Sequence, residues 1–404
     1  MPGPLDGLRV FDLTQVIAGP FCTRLLADMG AEVIRVEPRG GDLMRGLPVA
    51  YEGDKSTAFA QYNHGKRSVG IDLKSDDGRE VALRLVEWAD VVVENFRAGT
   101  MDRLGLGYAV LRERNPNVIL CSLSTFGATG PYSHMSGFGL VAEAYSGLMS
   151  LTGEEGGPPM HFGTPLADMN AAVHGVAAIG AALYRRERTG EGTHIDISMY
   201  DALFAMIDQA PALAHFTEGR RLQGKYGRRH SSTVPSGVAA AADGRWVSYG
   251  APGDRAFALV AQAMGEPALA SDDRFATVEA RIANQDELYE RIERWAATVP
   301  TAEELEKRFT EAGASAAVVR TVADNLADPH LVERGTLAPV RMDDRDVLMQ
   351  VAPYRFSGCE VRPGAPAPHI GEHTEEVLRD VLGLDDAERE RLFATGAVHG
   401  SRRT

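Results

Sequence analysis

Leu8-Arg9-Val10-Phe11-Asp12-Leu13, then Thr14-Gln15-Val16-Ile17-Ala18-Gly19-Pro20, closed by Ala31-Glu32-Val33-Ile34-Arg35-Val36-Glu37, is the stretch that decides the fold class. Its opening segment alternates and reads as a strand. Pro20 suits the first position of a helix, where a missing N–H costs nothing. Phe21, Leu25 and Met29 share one face of that helix and Gly30 stops it. The closing segment is again a strand. Strand, helix and strand in this order open a doubly wound parallel sheet. Glu37 stands where a dinucleotide-binding enzyme keeps its ribose-binding acid. The turn, however, has only Gly19 followed by Pro20 in place of three spaced glycines, so no nicotinamide cofactor is expected.

The pattern continues outward. Arg67 to Leu73 reads as strand, Asp77 to Trp88 as helix, Ala89 to Phe96 as apolar strand, Met101 to Arg114 as partly helical, and Asn117 to Ser124 as buried strand. Gly192 to Met199 is a further strand and Tyr200 to Phe216 a further helix. The alternation predicts an α/β fold with a parallel sheet in a Rossmann-like large domain. Residues 218–236 are polar and rich in glycine and arginine at their start, and read as a linker after a first domain of residues 1–217. Residues 237–325 read as a smaller α+β domain, with a hairpin turning at Asp243-Gly244. Residues 326–404 carry prolines between short strands and return to the large domain. They end in a helix from Glu375 to Leu382 capped by Thr374.

Net charge over the 404 residues is −14, which argues against nucleic acid and anionic membranes as partners. No apolar run approaches the roughly 20 residues of a membrane span. Met1 to Asp6 has neither the basic nor the apolar part of a secretion signal. Cys22, Cys121 and Cys359 are widely spaced and odd in number, which points away from disulfides and cysteine-held metal. A cytoplasmic enzyme is the expectation.

Gly163 to Leu183 is a small-residue helix with one carboxylate, Asp168, at its start. That acid is either a cap, favoured by the free N–H groups and dipole of the first turn, or a reagent. His369-Ile370-Gly371-Glu372-His373 has the H-x-x-E-H spacing, but Pro368 and Gly371 place it outside a helix, so no metal is expected. The glycine-rich run Gly153 to Pro159 carries two acids, wrong for cradling phosphate. Arg35, Arg39, Arg45, Lys66, Arg67, Arg97 and Arg103 cluster near strand–loop junctions. On so acidic a protein that clustering suits a polyanionic small ligand, though solvated surface arginine explains it as well.

The chain resembles the family III CoA-transferases, which include formyl-CoA and carnitine CoA-transferases and are related to α-methylacyl-CoA racemases. The resemblance spans essentially the whole chain. It is carried by Leu5 to Val10, Ala18-Gly19-Pro20, Leu26 to Glu37, Asn63 to Ser68, Asp72-Leu73-Lys74, Val93 to Gly99, Phe126 to Pro131, Thr189 to Gly192 and Gly371 to Thr374. It implies an interlocked homodimer in which each chain threads the other. It also implies an acyl-CoA and a carboxylic acid as substrates, with coenzyme A a substrate rather than a resident cofactor. Asp168 falls where the family keeps its nucleophile, which forms an aspartyl anhydride and then an aspartyl–CoA thioester. CoA contacts are implied at Val16, Ile17, Ala18, Arg39, Ile71, Asp72, Leu73, Lys74, Asn95, Phe96, Arg97 and Arg103. Gly137 and the stretch containing Arg228, Arg229 and His230 fall on the acceptor side. Phe138-Gly139 replaces the racemases' His-Asp pair, and Ile17 replaces a glutamine of formyl-CoA transferase. The alternatives are a racemase or isomerase of the same superfamily and a CoA-ester-binding protein without transfer activity.

Overall fold

The computed structural model describes residues 1–47, 55–230, 232–342 and 345–400. Ser231, within the acceptor-side stretch, lies outside them. Two compact units divide the chain: Met1–Leu148 with His161–Asp208 and Pro329–Thr404, and Met149–Met160 with Gln209–Asp328.

The first unit is built on β1 (Arg9–Asp12), β2 (Glu32–Glu37), β3 (Lys66–Ile71), β4 (Val91–Glu94), β5 (Ile119–Ser124) and β6 (Thr193–Ser198). Their order is β3-β2-β1-β4-β5-β6, all parallel. Val10 and Phe11 face opposite sides of β1, and both are wholly buried. The strands therefore read as continuous apolar runs, as a sheet covered on both faces requires. One face packs Phe11, Ile34 and Val92 against Leu85 and Val86 of α2 (Asp76–Trp88). The other packs Val10, Val33 and Val93 against α1 (Ala18–Asp28) and the long α4 (Leu166–Thr189), with α3 (Gly139–Ser146) beside them. Gly175 lets α4 lie close on α1, since a Cβ there would stand 3.2 Å from the Cys22 sulfur.

Length and composition alone would let α4 cross a membrane, contrary to the expectation from the sequence. Its Ala167, Ala171, Ala172, Ile179 and Ala182 are buried in the sheet-facing core, which marks it as a core helix of this unit. The single helix expected from Tyr200 to Phe216 is two, Met199–Phe204 and Ala210–Phe216. Pro211 sits in the first turn of the second; inside a continuous helix it would remove a hydrogen bond and clash with the preceding turn.

In the second unit, β7 (Ser236–Ala240), β8 (Trp246–Gly250) and β9 (Ser315–Val318) form an antiparallel sheet. Helices cover it around Val247, Phe257, Leu288, Ile292 and Phe309. The Asp243-Gly244 turn joins β7 to β8, with Gly244 at φ +80°. Residues 218–230, read as linker, belong to this unit.

The C-terminal stretch contributes the hairpin β10 (Leu337–Met342) and β11 (Arg345–Gln350), then β12 (Val398–His399), which extends the large sheet antiparallel to β3. Thr374 is not a helix cap. Its hydroxyl donates to the His399 carbonyl at 2.8 Å and accepts the Gly70 N–H at 2.9 Å, so it ties β12 to β3.

Candidate active site

β1 is flanked by β2 on one side and β4 on the other, so the loops leaving β1 and β4 diverge from the strands' carboxyl ends. That divergence is the crevice in which open α/β sheets place ligands.

Buried ion pairs hold the crevice's floor. The Asp12 carboxylate accepts from the Thr14 N–H (2.8 Å), the Thr23 hydroxyl (2.6 Å) and the Lys66 ammonium (3.0 Å). Burial opposes its charge, but Lys66 and Arg35 prevail and keep its pKa below the ordinary carboxylate value. Burial in turn pushes Lys66 down to about 8, against the pull of Asp12. Arg35 pairs with Asp42 and Asn63, and Arg45 grips Glu37 through two nitrogens at 2.8 and 2.5 Å. Arg67 pairs with Glu32 and Glu376. The basic cluster read from the sequence is thus largely an internal scaffold, because a cation taken out of water needs a partner. Arg39, Lys74 and Arg97 are exposed and make no ion pair among the described residues.

The β1 loop is clamped from two directions. Asn95, after β4, accepts the Gln15 N–H at 2.8 Å and donates to the Gln15 carbonyl at 2.7 Å. Asp42 accepts the Val16 N–H at 3.0 Å. Val16 is held at φ +68°, a conformation that costs a β-branched residue about 1–3 kcal/mol and persists only where neighbours enforce it. Glu94 accepts the Phe96 N–H at 2.7 Å and shapes the opposite loop; burial, despite its Ser122 and Phe96 hydrogen bonds, pushes its carboxyl up to about 7.

Asp168 lies in the first turn of α4, half-buried in the wall of a 230 Å³ cavity that also receives Val16, Asn95, Phe96, Arg97 and Gly137. Pro165 is the residue before the helix and supplies no side-chain cap. Burial pushes the Asp168 carboxyl up to about 6; its own backbone N–H pulls the other way and the Glu143 charge adds to the rise. The helix start alone therefore does not decide this acid's charge. Gly139, unmarked by any sequence signal of close approach, makes the space, since a Cβ there would stand 2.0 Å from Asp168 Oδ2. Gly137 is similarly hemmed in, with a Cβ position 2.7 Å from Thr125 Cγ2.

A second cavity, of 560 Å³, is lined by Arg39, Ile71, Asp72, Leu73, Lys74 and Phe96. Gln15 and Phe96 line both spaces, so the two adjoin along the clamped loop. Ile17 is the residue before α1, Ala18 is buried at its start, and Arg103 donates to the Thr100 hydroxyl at 2.8 Å. Arg228, Arg229 and His230 belong to the second unit. There Arg229 pairs with Asp286 at 2.6 Å, Arg228 lies over the Trp246 ring, and His230 Nδ1 accepts from the Ser232 N–H at 3.2 Å.

A parallel sheet parting over a half-buried carboxylate, with free cations along the adjoining cavity, defines an α/β enzyme for an anionic substrate. The chain belongs to CoA-transferase family III, whose model matches residues 5–374. It is 37% identical over 401 residues, 98% of each chain, to succinyl-CoA–D-citramalate CoA-transferase of Chloroflexus aurantiacus. It is 40% identical over 387 residues, 93% of this chain and 96% of the relative, to succinyl-CoA:mesaconate CoA-transferase of Haloarcula hispanica. The crystal structure of a CAIB/BAIF family protein from Brucella suis matches with a TM-score of 0.84 at 33% identity, covering 94% of this chain and all of that one. The protein is a CoA-transferase, and CoA thioesters are the substrates of that class.

Proposed function

We propose that the protein moves CoA from succinyl-CoA to a second, short dicarboxylic acid, with Asp168 as the covalent nucleophile. The observation that carries this reading is the Asp168 carboxylate, pushed up to about 6 in a cavity wall and given room by Gly139. Such a group is mostly ionised at neutral pH, yet more basic than an ordinary aspartate, which favours attack on a thioester. The related enzymes named for citramalate and mesaconate supply the acceptor class.

In the first step an Asp168 oxygen attacks the thioester carbonyl; the C–S bond breaks and CoA leaves as thiolate. The thiolate then attacks Asp168 Cγ and releases succinate, leaving CoA on the aspartyl carbonyl. The acceptor carboxylate attacks that thioester and expels the thiolate again. Attack of the thiolate on the acceptor's acyl carbon yields the new acyl-CoA and frees Asp168. No group outside donor, acceptor and this carboxylate changes its bonding.

Arg39 and Lys74 suit the CoA phosphates, and Ile71, Asp72, Leu73 and Phe96 its nucleotide. Val16, Ile17, Ala18, Asn95 and Arg97 flank the pantetheine arm, with Arg103 at its outer side and Gly137 toward the acceptor. A second copy of the chain belongs on α4, whose Val173, His174, Ala177, Ala181 and Tyr184 are exposed along one side. The reaction is assigned to the cytoplasm. The test is succinyl-CoA with a panel of dicarboxylic acids, read by mass spectrometry of the CoA products. Transfer to at least one acid is expected; hydrolysis alone with every acid would overturn the proposal.

A further inference from the structure

Beside Asp168 stands a second buried carboxylate that the proposed reaction does not use. The buried positions of α3, Gly139, Ala142, Glu143 and Ser146, follow the three- and four-residue spacing of a single helix face. Gly139 sets that face against the nucleophile, since the Cβ it lacks would stand 2.0 Å from Asp168 Oδ2. Ala142 on the same face packs with Ala167 and Ala171 of α4. Glu143 lies one turn beyond Gly139 and is only 3% exposed.

Glu143 Oε2 accepts the Phe162 N–H at 3.4 Å, just ahead of α4, and the acid makes no ion pair among the described residues. A carboxylate taken out of water ordinarily has a cation beside it. This one has another acid. Burial does most to hold the Asp168 carboxyl at about 6, and the Glu143 charge adds to the rise. Two other ionisable groups stand near Asp168. Tyr62, on the helix Thr57–Asn63, has its phenol pKa raised by burial and then by the Asp168 charge, and Arg97 lines the cavity from the loop after β4.

We propose that Glu143 is a positioning residue that acts on Asp168 through its charge, favouring the acylated forms of the nucleophile over the free carboxylate; the inference rests on the function proposed above. When Asp168 attacks, the thioester C–S bond breaks and the negative charge leaves with the thiolate. When the thiolate returns to Asp168 Cγ, the charge leaves with succinate. The aspartyl group is neutral in both covalent forms. Repulsion from Glu143 therefore acts on the free enzyme, and its relief favours both adducts.

The experiment compares wild type with Glu143→Gln, which keeps the shape and an acceptor for the Phe162 N–H but removes the charge. The pH limb of donor kcat/KM set by Asp168 should move down by about half a unit in this variant. At pH 8 and fixed succinyl-CoA and succinate, intact-protein mass spectrometry gives the ratio of CoA-bearing to free enzyme. That ratio should fall about threefold, which is the same half unit expressed as an equilibrium. Glu143→Asp keeps the charge and should recover most of both shifts. Glu143→Met, uncharged and of similar length, serves if the glutamine variant folds poorly. An unmoved limb or an unchanged ratio in a folded uncharged variant, or an aspartate variant that behaves like glutamine, would overturn the role of Glu143 alone. A wild-type protein that transfers CoA while Asp168 never carries it would overturn the proposed function itself.

Discussion

Replacing Asp168 by asparagine should abolish transfer while making the folded protein more stable. In the native structure burial, with the Glu143 charge, raises this carboxyl from 3.8 to about 6. At about 1.4 kcal/mol per pKa unit, the charged form costs the fold about 3 kcal/mol. Partial solvent screening reduces this to about 2 kcal/mol. The sign follows from linkage: an acid whose folded pKa is raised costs nothing below its unfolded value. The cost grows as pH rises from about 4 and is complete above about 6. Asparagine keeps the shape and an acceptor oxygen but carries no charge, so it removes the whole penalty. Urea melts of wild type and Asp168→Asn at pH 8 should therefore differ by about 2 kcal/mol in favour of the variant, and by about half that at pH 5. A variant no more stable than wild type at pH 8, or a difference that does not change with pH, would refute the reasoning.

Three further outcomes are expected. The rate kcat/KM for the donor should rise with pH along a limb centred near 6 as Asp168 loses its proton, and a flat profile from pH 5 to 7 would count against Asp168 as nucleophile. Gly139→Ala forces a methyl group into the place of Asp168 Oδ2, so kcat should fall about a hundredfold while circular dichroism stays native. Asn95→Ala removes both hydrogen bonds to Gln15, which should cost about 1–2 kcal/mol in thermal unfolding and, by releasing Val16, raise the KM for the CoA thioester more than that for the acid.

The sheet was legible because local patterns suffice for it. The apolar pair Val10-Phe11, Pro20 in the first turn of α1, which starts two residues before it, and Gly30 just past its end all act within one turn or strand. Asp168 was legible as one acid opening a small-residue helix, though the residues alone left cap and reagent both open, and the family resemblance favoured the second. The electrostatics were less so. Arg35, Arg45 and Lys66 look like surface cations in a row of letters, yet Arg35 and Arg45 meet Asp42 and Glu37 only when the loop after β2 folds back on its strand, and Lys66 of β3 meets Asp12 of β1 only across the assembled sheet. The rise in the Asp168 pKa is hidden for the same reason, since the helix start is local and the burial that outweighs it is not. Gly139 owes its significance to a single contact with Asp168, 29 positions further along the chain, which no spacing encodes. The two-helix break before Pro211 was within reach, because proline inside a helix is a local signal.

The central claim is that CoA rides on Asp168, and its most direct measurement is the adduct itself. The protein is incubated with succinyl-CoA without acceptor, trapped with hydroxylamine or borohydride, digested and mapped by mass spectrometry. The modification should fall on Asp168 in the wild type and be absent from Asp168→Asn. An unmodified Asp168 in a preparation that transfers CoA, or an asparagine variant that transfers at the wild-type rate, would contradict it.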